Sequence, residues 1–413
     1  MKHLIILNQQ PFIPAFMLTM ISSAKVLFDD ISYINTSDLS NKKDVDQKSR
    51  IQFYCPNKME SFLALVKSFI GVFSPLVFRD VKKCLREKGP SLKTIKQFIV
   101  EQYVHHRLLP IAKKTIKAGK AEEMTVLSTW FAASAFTASK LKESYPSIKA
   151  VSLAHSYEIL SIRNPFVKYM HNAYKHKCLD GVFFISYKIR DMYLEGIGGL
   201  QDELLKKTFV SYLGSKKESN RLSPQSLGVF CICTCSRLIP LKRIDLLFDA
   251  IEDWDLCPIK WTHMGDGPLY SVLSERAAEV SKKNPLVEIE FTGRVSNERV
   301  KLFYASNSVD LFINLSEIEG LPISIMEAIS YGIPVLATNV GGTCEIVVSE
   351  TGYLAPKDIS KDLVRKYLVE YYQLSDGDKK ALRLSAYHYW EKHFNASENM
   401  TKLFEEIDRI PSC

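Results

Sequence analysis

The sequence lacks the features that mark membrane-spanning or exported chains. No run of about 18 apolar residues is present, so no bilayer-spanning helix is predicted. The apolar stretch nearest the N-terminus is only Leu4–Leu7, which is too short for a signal peptide and predicts a buried strand instead. No lipidation motif is present either. These absences predict a cytoplasmic location.

The sequence also lacks two common cofactor motifs. "CICTC" at Cys231–Cys235 has no matching Cys or His pair at a zinc-like spacing, so we interpret it as a buried strand. An NAD-dependent oxidoreductase needs a G-x-G-x-x-G fingerprint, and the nearest stretch, "EGIGGL" at Glu195–Leu200, does not fit it. The nine cysteines are scattered, which predicts reduced thiols.

What the chain does have is length and an uneven charge. Its 413 residues exceed one ordinary core, which predicts two domains. Residues 1–200 carry 29 Lys and Arg against 16 Asp and Glu, whereas residues 201–413 carry 25 against 30. A basic first half predicts contact with an anionic partner, and a solvated surface with no partner is the alternative.

Short apolar runs alternate with helical patterns along the chain. Segments such as "KRIDLLFDAIEDW" predict helices between buried strands at "HLIIL", "AVSLAH", "GVFFIS", "GVFCICTC", "KWTHMG", "DLFINLS" and "PVLATN". This alternation is typical of parallel sheets with helices on both faces, so the predicted fold class is α/β. The polar stretch 214–227 is the best linker candidate, and the second domain is expected to start near Leu227.

One segment of the first half allows two interpretations. Glu60–Gly89 is rich in aromatic and aliphatic residues and then in cations, including Lys82, Lys83 and Arg86. It is suited to lie on a membrane surface with its cationic end at anionic head groups. The alternative is an ordinary amphipathic helix pair packed on the first sheet.

Two glutamates in the stretch "SEIEGLPISIMEA" (Ser316–Ala328) indicate a ligand site. "DLFINLS" is predicted as a strand, "EIEG" as a loop, and "ISIMEAIS" as a helix whose first turn suits Pro322. Glu319 then lies before the helix and Glu327 about one turn inside it. The free N–H groups at such a terminus suit an anion, and carboxylates beside it accept hydrogen bonds from sugar or ribose hydroxyls.

Other strand-to-helix turns carry matching chemistry. Arg237 and Lys242 follow the strand in "CICTCSRLIPLKRIDLLFDAI" and suit phosphate oxygens. "HMGDGPLYS" contains Gly265, which permits close backbone approach, and Asp266. In the turn within "EFTGRVSNERV", the backbone at Arg294 and Val295 is predicted to face the base of a nucleotide. Because ligands of open α/β sheets bind at the carboxyl ends of the strands, these turns predict a nucleoside-diphosphate ligand; ordinary surface turns are the alternative.

The second half resembles the retaining glycosyltransferases of family 4, which have the GT-B fold. The resemblance runs from about Phe230 to Asp358 through "SRLIPLKRIDLLFDAI", "HMGDGP", "FTGRVSNERVKLFYASNSVDLFINLSEIEGLPISIMEAISYGIPVLATNVGGTCEIV" and "TGYLAPKD". Within the family, the chain is most similar to bacterial enzymes that build exopolysaccharide, capsule or lipopolysaccharide. The sequence departs from the common pattern at Pro322, where a second Gly is usual, and at Ser324, where Pro is usual.

The resemblance implies a role for each matching residue. Arg237 and Lys242 match cations on the donor diphosphate, and Glu327 matches a glutamate on the donor ribose. Glu319 matches a glutamate near the hydroxyls of the donor sugar. The backbone of Gly320 and Leu321 matches a loop that meets the sugar and the phosphates. No metal is implied, since no carboxylate pair typical of a Mg²⁺ site is evident.

The first half resembles the family more loosely. "AVSLAHSYEIL" is similar to the family's "HGYD" element, and His155 matches a histidine near the reacting centre. The resemblance implies two Rossmann-like domains facing a central cleft, with a C-terminal helix returning to the first. The expected bounds are 1–213 for the acceptor-binding domain, 214–226 for a linker, 227–385 for the donor-binding domain and 386–413 for the returning helix.

The resemblance therefore implies a retaining, metal-independent hexosyltransferase. It is expected to move a sugar from a nucleoside-diphosphate donor, with UDP as the nucleotide, to a glycan acceptor, lipid-linked, in surface polysaccharide synthesis. No other cofactor and no nucleic acid is expected, and peripheral association with the anionic inner membrane is the expected location. The alternatives are a catalytically inactive nucleotide-sugar-binding scaffold and a GT-B epimerase or phosphorylase.

Overall fold

The computed structural model describes residues 1–10, 15–36, 51–88, 92–159, 171–196, 202–217, 222–225 and 228–411. Contacts divide the chain into two compact units. The first comprises Met1–Leu213 together with Ser397–Cys413, and the second comprises Gly214–Ala396.

The first unit is built on a parallel sheet in the order β3-β2-β1-β4-β5-β6-β7. Its strands are β1 (Lys2–Asn8), β2 (Asp30–Asn35), β3 (Ile51–Tyr54), β4 (Glu123–Ser128), β5 (Lys149–Ala154), β6 (Gly181–Phe184) and β7 (Thr208–Val210). The central strands are almost continuously buried, as expected for a sheet covered on both faces. The chain order reverses between β1 and β4, and this switch point is where such folds bind ligands.

Helices connect these strands and cover the sheet. They are α1 (Ala15–Ala24), α2 (Lys58–Gly71), α3 (Pro75–Lys88), α4 (Leu92–Ala118), α5 (Ala133–Ser144), α6 (Ser156–Ile159), α7 (Asn172–Cys178), α8 (Tyr187–Gly196), α9 (Asp202–Leu205) and α16 (Ala396–Arg409). α16 packs Phe404 against Phe28, with ring centroids 5.7 Å apart. The main-chain oxygens of Ile407 and Asp408 accept hydrogen bonds from Lys149, both at 2.8 Å. The last helix is therefore part of the first unit.

The second unit is built on a parallel sheet in the order β10-β9-β8-β11-β12-β13. Its strands are β8 (Phe230–Cys235), β9 (Ile259–Met264), β10 (Val287–Phe291), β11 (Leu311–Asn314), β12 (Val335–Thr338) and β13 (Gly352–Ala355). Its helices are α10 (Ile244–Ile251), α11 (Tyr270–Lys283), α12 (Asn297–Ser306), α13 (Ile323–Ser330), α14 (Lys361–Gln373) and α15 (Asp376–His393). Each unit has a parallel sheet whose strands are connected by helices, which confirms the predicted α/β class.

Buried aromatic pairs in the core of the second unit stabilise its sheet and so fix the positions of the strand ends. Phe248 packs on Trp261 with ring centroids 4.7 Å apart, and Phe230 stacks on Tyr371 at 5.9 Å. Buried aromatic pairs of this kind contribute about 0.5–1.5 kcal/mol beyond their buried area. Serine side chains cap several helices; Ser296, for example, accepts from Arg299 N at the start of α12.

The stretch predicted as a linker, 214–226, falls partly outside the described residues, at 218–221 and 226. Its described parts bond within the second unit. Ser215 pairs with Asn395, and Ser223 N donates to Tyr331 O at 2.9 Å. The expected domain bounds themselves stay predictions.

Candidate functional site

The second unit brings polar residues together where the strand order reverses, between β8 and β11. Ser236 to Arg243 follow β8, and Leu315 to Pro322 follow β11. Glu317 N donates to Leu241 O at 2.9 Å, so the two loops are in direct contact. The carboxyl ends of parallel strands at such a switch point form the usual ligand crevice of this fold.

Lys242 and Glu319 form the charged centre of this site. Lys242 Nζ donates to Glu319 Oε1 at 2.5 Å, and Asn314 Nδ2 donates to the same oxygen at 3.3 Å. Glu319 is 8% exposed, and Lys242 is half-buried. An ammonium group has three N–H donors, so Lys242 can bind an anion while it keeps its bond to Glu319.

Asn314 is itself fixed by the loop that follows β11. Its Oδ1 accepts from Ser316 N at 3.1 Å and from Ser316 Oγ at 2.5 Å. The amide therefore has its oxygen turned to Ser316 and its nitrogen turned to Glu319. Asn314 thus positions the carboxylate that pairs with Lys242.

The N-terminus of α13 adjoins this pair. The helix is Ile323–Ser330, the stretch "ISIMEAIS" that the sequence predicted, and Pro322 is its N-cap residue with no side-chain cap bond. The first N–H groups of a helix have no partner within the helix, and the helix dipole favours an anion there. Gly320 and Leu321, the predicted backbone contacts, lead directly into this terminus and are buried.

The loop that carries Glu319 packs against a second loop, which contains Gly341 and Gly342. Gly342 N donates to Gly320 O at 2.6 Å. Gly341 has φ +55°, and a Cβ placed on it would lie 2.0 Å from Glu319 O. Only glycine fits this position without displacing the loop.

Glu327 lies inside α13 and is hydrogen-bonded to the start of α12. Asn297 Nδ2 donates to Glu327 Oε1 at 2.5 Å. Burial raises the pKa of Glu327, and the bond from Asn297 and the charge of Lys301 partly oppose this rise. Burial also raises the pKa of Cys235 at the end of β8 to about 12, where Glu327 adds to the rise and Lys242 opposes it. Glu327 and Lys242 therefore lie close to the same strand end.

The structure does not join Arg237 to this cluster. Its side chain is exposed, and within the described ranges no residue pairs with its guanidinium. Arg243, which the sequence did not single out, lies beside Lys242 with φ +46°. It donates to Leu315 O at 2.6 Å and to Lys357 O at 2.9 Å. Arg243 therefore ties the turn of Lys242 to the loops after β11 and β13.

Gly265 and Asp266 lie in the loop after β9, against the loop that follows β8. A Cβ on Gly265 would lie 1.9 Å from Ser236 O, and Leu238 N donates to Asp266 O at 3.0 Å. The close approach that Gly265 permits is therefore an approach of two backbone loops. The Asp266 side chain is exposed and accepts from Gly267 N at 2.7 Å.

Arg294 and Val295 lie in the loop after β10. The Arg294 side chain is exposed, and Val295 is half-buried. Gly293 precedes them with φ +68°, and its carbonyl oxygen accepts from Gly265 N at 3.0 Å. The loops after β9 and β10 are therefore linked to each other, and contact of either one with a base stays a prediction.

In the first unit, His155 lies at the carboxyl end of β5 next to the switch point. Its Nε2 lies 3.0 Å from Thr129 O, and its ring stacks on Trp130 with centroids 4.3 Å apart. Burial lowers the pKa of His155 to about 4. Because a carbonyl oxygen only accepts, Nε2 carries the proton and Nδ1 is left as an acceptor.

Two neighbours of His155 have polar groups that the sequence did not identify as ligand contacts. The indole Nε1 of Trp130 is buried, and none of the described residues accepts from it. Glu158 Oε1 accepts from Phe131 N at 3.0 Å, and burial raises the pKa of Glu158 to about 8. Burial therefore favours the protonated form of the Glu158 carboxyl.

Asn297, Asn314, Arg243 and Trp130 are functional candidates that only the structure identifies. Asn314 lies inside the predicted strand "DLFINLS", and Asn297 follows the helix-capping Ser296, so both have local structural explanations in the sequence. The partner of Asn314 lies 5 residues away along the chain, and the partner of Asn297 lies 30 residues away. A search for residues that follow each predicted strand would have missed both, and also Trp130, because it follows β4, which the sequence pattern did not single out.

Comparison with known families agrees with this geometry. Residues 216–387 match the model of the family described as glycosyl transferases group 1. This match lies in the second unit of the chain and confirms the resemblance to glycosyltransferases found in the sequence.

Individual glycosyltransferases are similar in sequence to parts of the chain. The uncharacterized glycosyltransferase MJ1178 of Methanocaldococcus jannaschii is 29% identical over 224 residues, 54% of this chain and 58% of that protein. The lipopolysaccharide core biosynthesis mannosyltransferase LpsB of Rhizobium meliloti is 29% identical over 155 residues, 36% of this chain and 42% of that protein. The matches thus span about half the length of these relatives.

Solved structures match the whole chain. HepE of Anabaena, solved in complex with UDP and glucose, aligns with a TM-score of 0.65 at 16% identity and covers 98% of this chain and 99% of that one. At this identity the likeness shows the fold, and it confirms the GT-B architecture.

Proposed function

We propose that the protein transfers a hexosyl residue from a nucleoside-diphosphate sugar to a glycan acceptor with retention of anomeric configuration. The observation that carries this proposal is the Lys242–Glu319 pair beside the N-terminus of α13. It combines a cation and free N–H groups for a diphosphate with a carboxylate for sugar hydroxyls.

The donor is assigned to the second unit. Lys242 and the N–H groups at the start of α13 would bind the diphosphate, and exposed Arg237 is free to add a second cation. Glu327, held by Asn297, would accept hydrogen bonds from the ribose. Complexes of HepE with UDP support UDP as the nucleotide.

Catalysis would come mainly from stabilising the leaving group. As the bond from the anomeric carbon to the diphosphate oxygen breaks, negative charge grows on the diphosphate, where Lys242 and the helix dipole stabilise it. The acceptor hydroxyl then attacks the same face of the sugar, and its proton passes to the departing phosphate oxygen. None of these steps needs a metal ion, so we expect activity to persist in EDTA.

The acceptor is assigned to the first unit. His155 Nδ1 offers a hydrogen-bond acceptor to a glycan hydroxyl. The similarity to LpsB, a lipopolysaccharide core biosynthesis mannosyltransferase, supports a surface polysaccharide as the class of product.

A donor screen tests the proposal. The full chain is incubated with UDP-, GDP-, ADP- and dTDP-sugars, and nucleotide release is measured. We expect release from one donor and a loss of about 100-fold or more in Lys242→Ala and in Glu319→Ala, since each removes a charge from the site. Lys260→Ala is the matched control, because Lys260 forms an exposed pair with Glu288 at 2.6 Å on the same sheet.

A second measurement separates transfer from binding alone. The anomeric configuration of the product is read by NMR when an acceptor glycan is supplied, and an inverted product would contradict the retaining assignment. Thermal stabilisation by UDP without release or transfer would instead favour an inactive nucleotide-sugar-binding scaffold.

A further inference from the structure

Helix α2 buries its small residues and exposes its large apolar ones, the reverse of an ordinary surface helix. The buried face carries Ala64 and Ser68. Gly71 continues this face, and a Cβ placed on it would lie 2.9 Å from Gln102 Oε1 and 3.0 Å from His106 Nε2 of α4. α2 therefore packs closely on α4 through small side chains.

The opposite face of α2 forms a broad apolar surface with the start of α3. Phe62 is 62% exposed, Ile70 is 68% exposed, and Phe73 in the turn is 73% exposed. The other exposed apolar residues on this surface are Met59, Leu63, Leu65, Val66, Phe69 and Phe78. The surface is not covered within the described part of the chain. Contiguous apolar surfaces of this kind mark interaction sites in folded proteins.

The two helices that form this apolar surface also carry exposed cations. The exposed basic residues of α2 and α3 are Lys58, Lys67, Arg79, Lys82, Lys83 and Arg86. The same helices carry three carboxylates, Glu60, Asp80 and Glu87, each of which has an interaction partner. Glu60 accepts from Asn57 N in the capping box of α2, and Asp80 Oδ2 lies 2.7 Å from His171 Nδ1. The α2–α3 pair therefore exposes large apolar side chains together with six basic ones.

We propose that α2 and α3 (the α2–α3 surface, Lys58–Lys88) dock the protein on the face of an anionic lipid bilayer. Aromatic and aliphatic side chains would enter the boundary between head groups and acyl chains, and the cations of the same helices would bind lipid phosphates. A second copy of this chain fits the surface poorly, because its own α2–α3 surface carries the same positive charge.

The docking is peripheral. Within the described residues no single helix is long and apolar enough to cross a membrane, and the pair Lys58–Gly71 and Pro75–Glu87 is bent by 63°. The bend places the exposed Phe73 at the turn between the two helices. The inference does not rest on the proposed sugar transfer, because it needs neither donor nor acceptor.

Co-sedimentation of the full chain with lipid vesicles tests the inference. We expect binding to vesicles rich in phosphatidylglycerol and little binding to neutral phosphatidylcholine vesicles. The variant Phe62→Ser/Phe69→Ser/Phe73→Ser should reduce binding about tenfold or more. Lys82→Ala/Lys83→Ala should reduce it by a similar factor, and that reduction should disappear at high salt. Val272→Ser/Leu302→Ser is the matched control, since both residues are exposed apolar side chains of the second unit.

Hydrogen exchange of the unmodified chain provides a test that does not depend on variants. Anionic vesicles should slow amide exchange in residues 58–88 and leave the second unit unchanged. The proposal is overturned if the wild-type chain binds neither vesicle type, or if exchange in residues 58–88 does not change. It is also overturned if light scattering shows an oligomer that the triple Phe variant dissociates while vesicle binding is unaffected.

Discussion

Asn314 is a positioning residue that orients Glu319 toward Lys242. Its amide nitrogen donates to Glu319 Oε1 at 3.3 Å, and its oxygen is held by Ser316. We expect Asn314→Ala to lower kcat/KM for the donor about tenfold, because a hydrogen bond to a charged group is worth about 1.5–3 kcal/mol. Asn314→Asp should be worse, since it places a second carboxylate beside Glu319.

Steady-state kinetics and thermal melting of both Asn314 variants check this prediction. A merely structural role would lower the melting temperature and leave the kinetics of the folded enzyme unchanged, and that pattern would contradict the positioning role.

Asn297 keeps the buried carboxylate of Glu327 able to ionise. A hydrogen bond to the charged form lowers a carboxyl pKa, so its removal in Asn297→Ala should raise the pKa of Glu327 further. If the ionised carboxylate binds the ribose, the acidic limb of the pH profile of kcat/KM for the donor moves to higher pH. Donor KM near neutral pH should rise about tenfold.

The matched variant is Glu327→Gln, which keeps an oxygen for Asn297 but cannot ionise. Its profile should lack the acidic limb altogether. An unchanged limb in both variants would assign that ionisation to another group.

At the scale of elements, the site depends on two loops that pack backbone to backbone. Gly341→Ala would place a Cβ 2.0 Å from Glu319 O at a residue with φ +55°, so the Glu319 loop must shift. We expect a loss of about 2–4 kcal/mol in stability and a loss of donor turnover beyond what unfolding explains.

Gly228→Ala is the control for Gly341→Ala. Gly228 also has a positive φ, +78°, but no atom of the described residues lies within 4 Å of the added Cβ. We expect it to cost only about 1 kcal/mol and to leave turnover unchanged. Chemical denaturation and initial rates of the two variants distinguish backbone strain from displacement of the site.

For the whole molecule, buried neutral imidazoles predict loss of stability in acid. Burial lowers the pKa values of His155, His176 and His263 to about 4. The unfolded chain binds protons near pH 6.5, so the stabilisation is complete above that pH and is lost as pH falls toward 4. Each histidine contributes up to about 3 kcal/mol to this change. Glu158 acts oppositely, because its raised pKa makes stability fall as pH rises toward about 8.

Denaturant unfolding between pH 7 and pH 4.5 measures this dependence. His176 bonds Tyr193 and Thr208 inside the first unit, at 3.3 and 3.1 Å, so His176→Asn should flatten the pH dependence of that unit. His388→Asn removes an exposed histidine and should leave the dependence unchanged. Identical slopes in the wild type and His176→Asn would show that the acid loss comes from other groups.

The sequence predicted the buried central strands more completely than the edge strands. β1, β5, β6, β8, β9, β11 and β12 are continuous apolar runs because both faces of the sheet are covered. The sequence pattern singled out neither the central strands β2 and β4 nor the four edge strands. The edge strands β3, β7, β10 and β13 are only partly buried. Short, partly exposed strands carry too little periodicity to identify.

The sequence by itself determined the class of fold and the residues that carry charge at the strand ends. Apolar runs, loop glycines and helix patterns depend on local chemistry, so they can be read along the chain. Only the tertiary structure decided which of these residues meet. The strand order brings the ends of β8 and β11 together, so Lys242 reaches Glu319 across 77 residues, whereas Arg237 points to solvent. The tertiary structure also decided that the small residues of α2 face inward and its aromatic residues face outward, because close packing on α4 admits only small side chains.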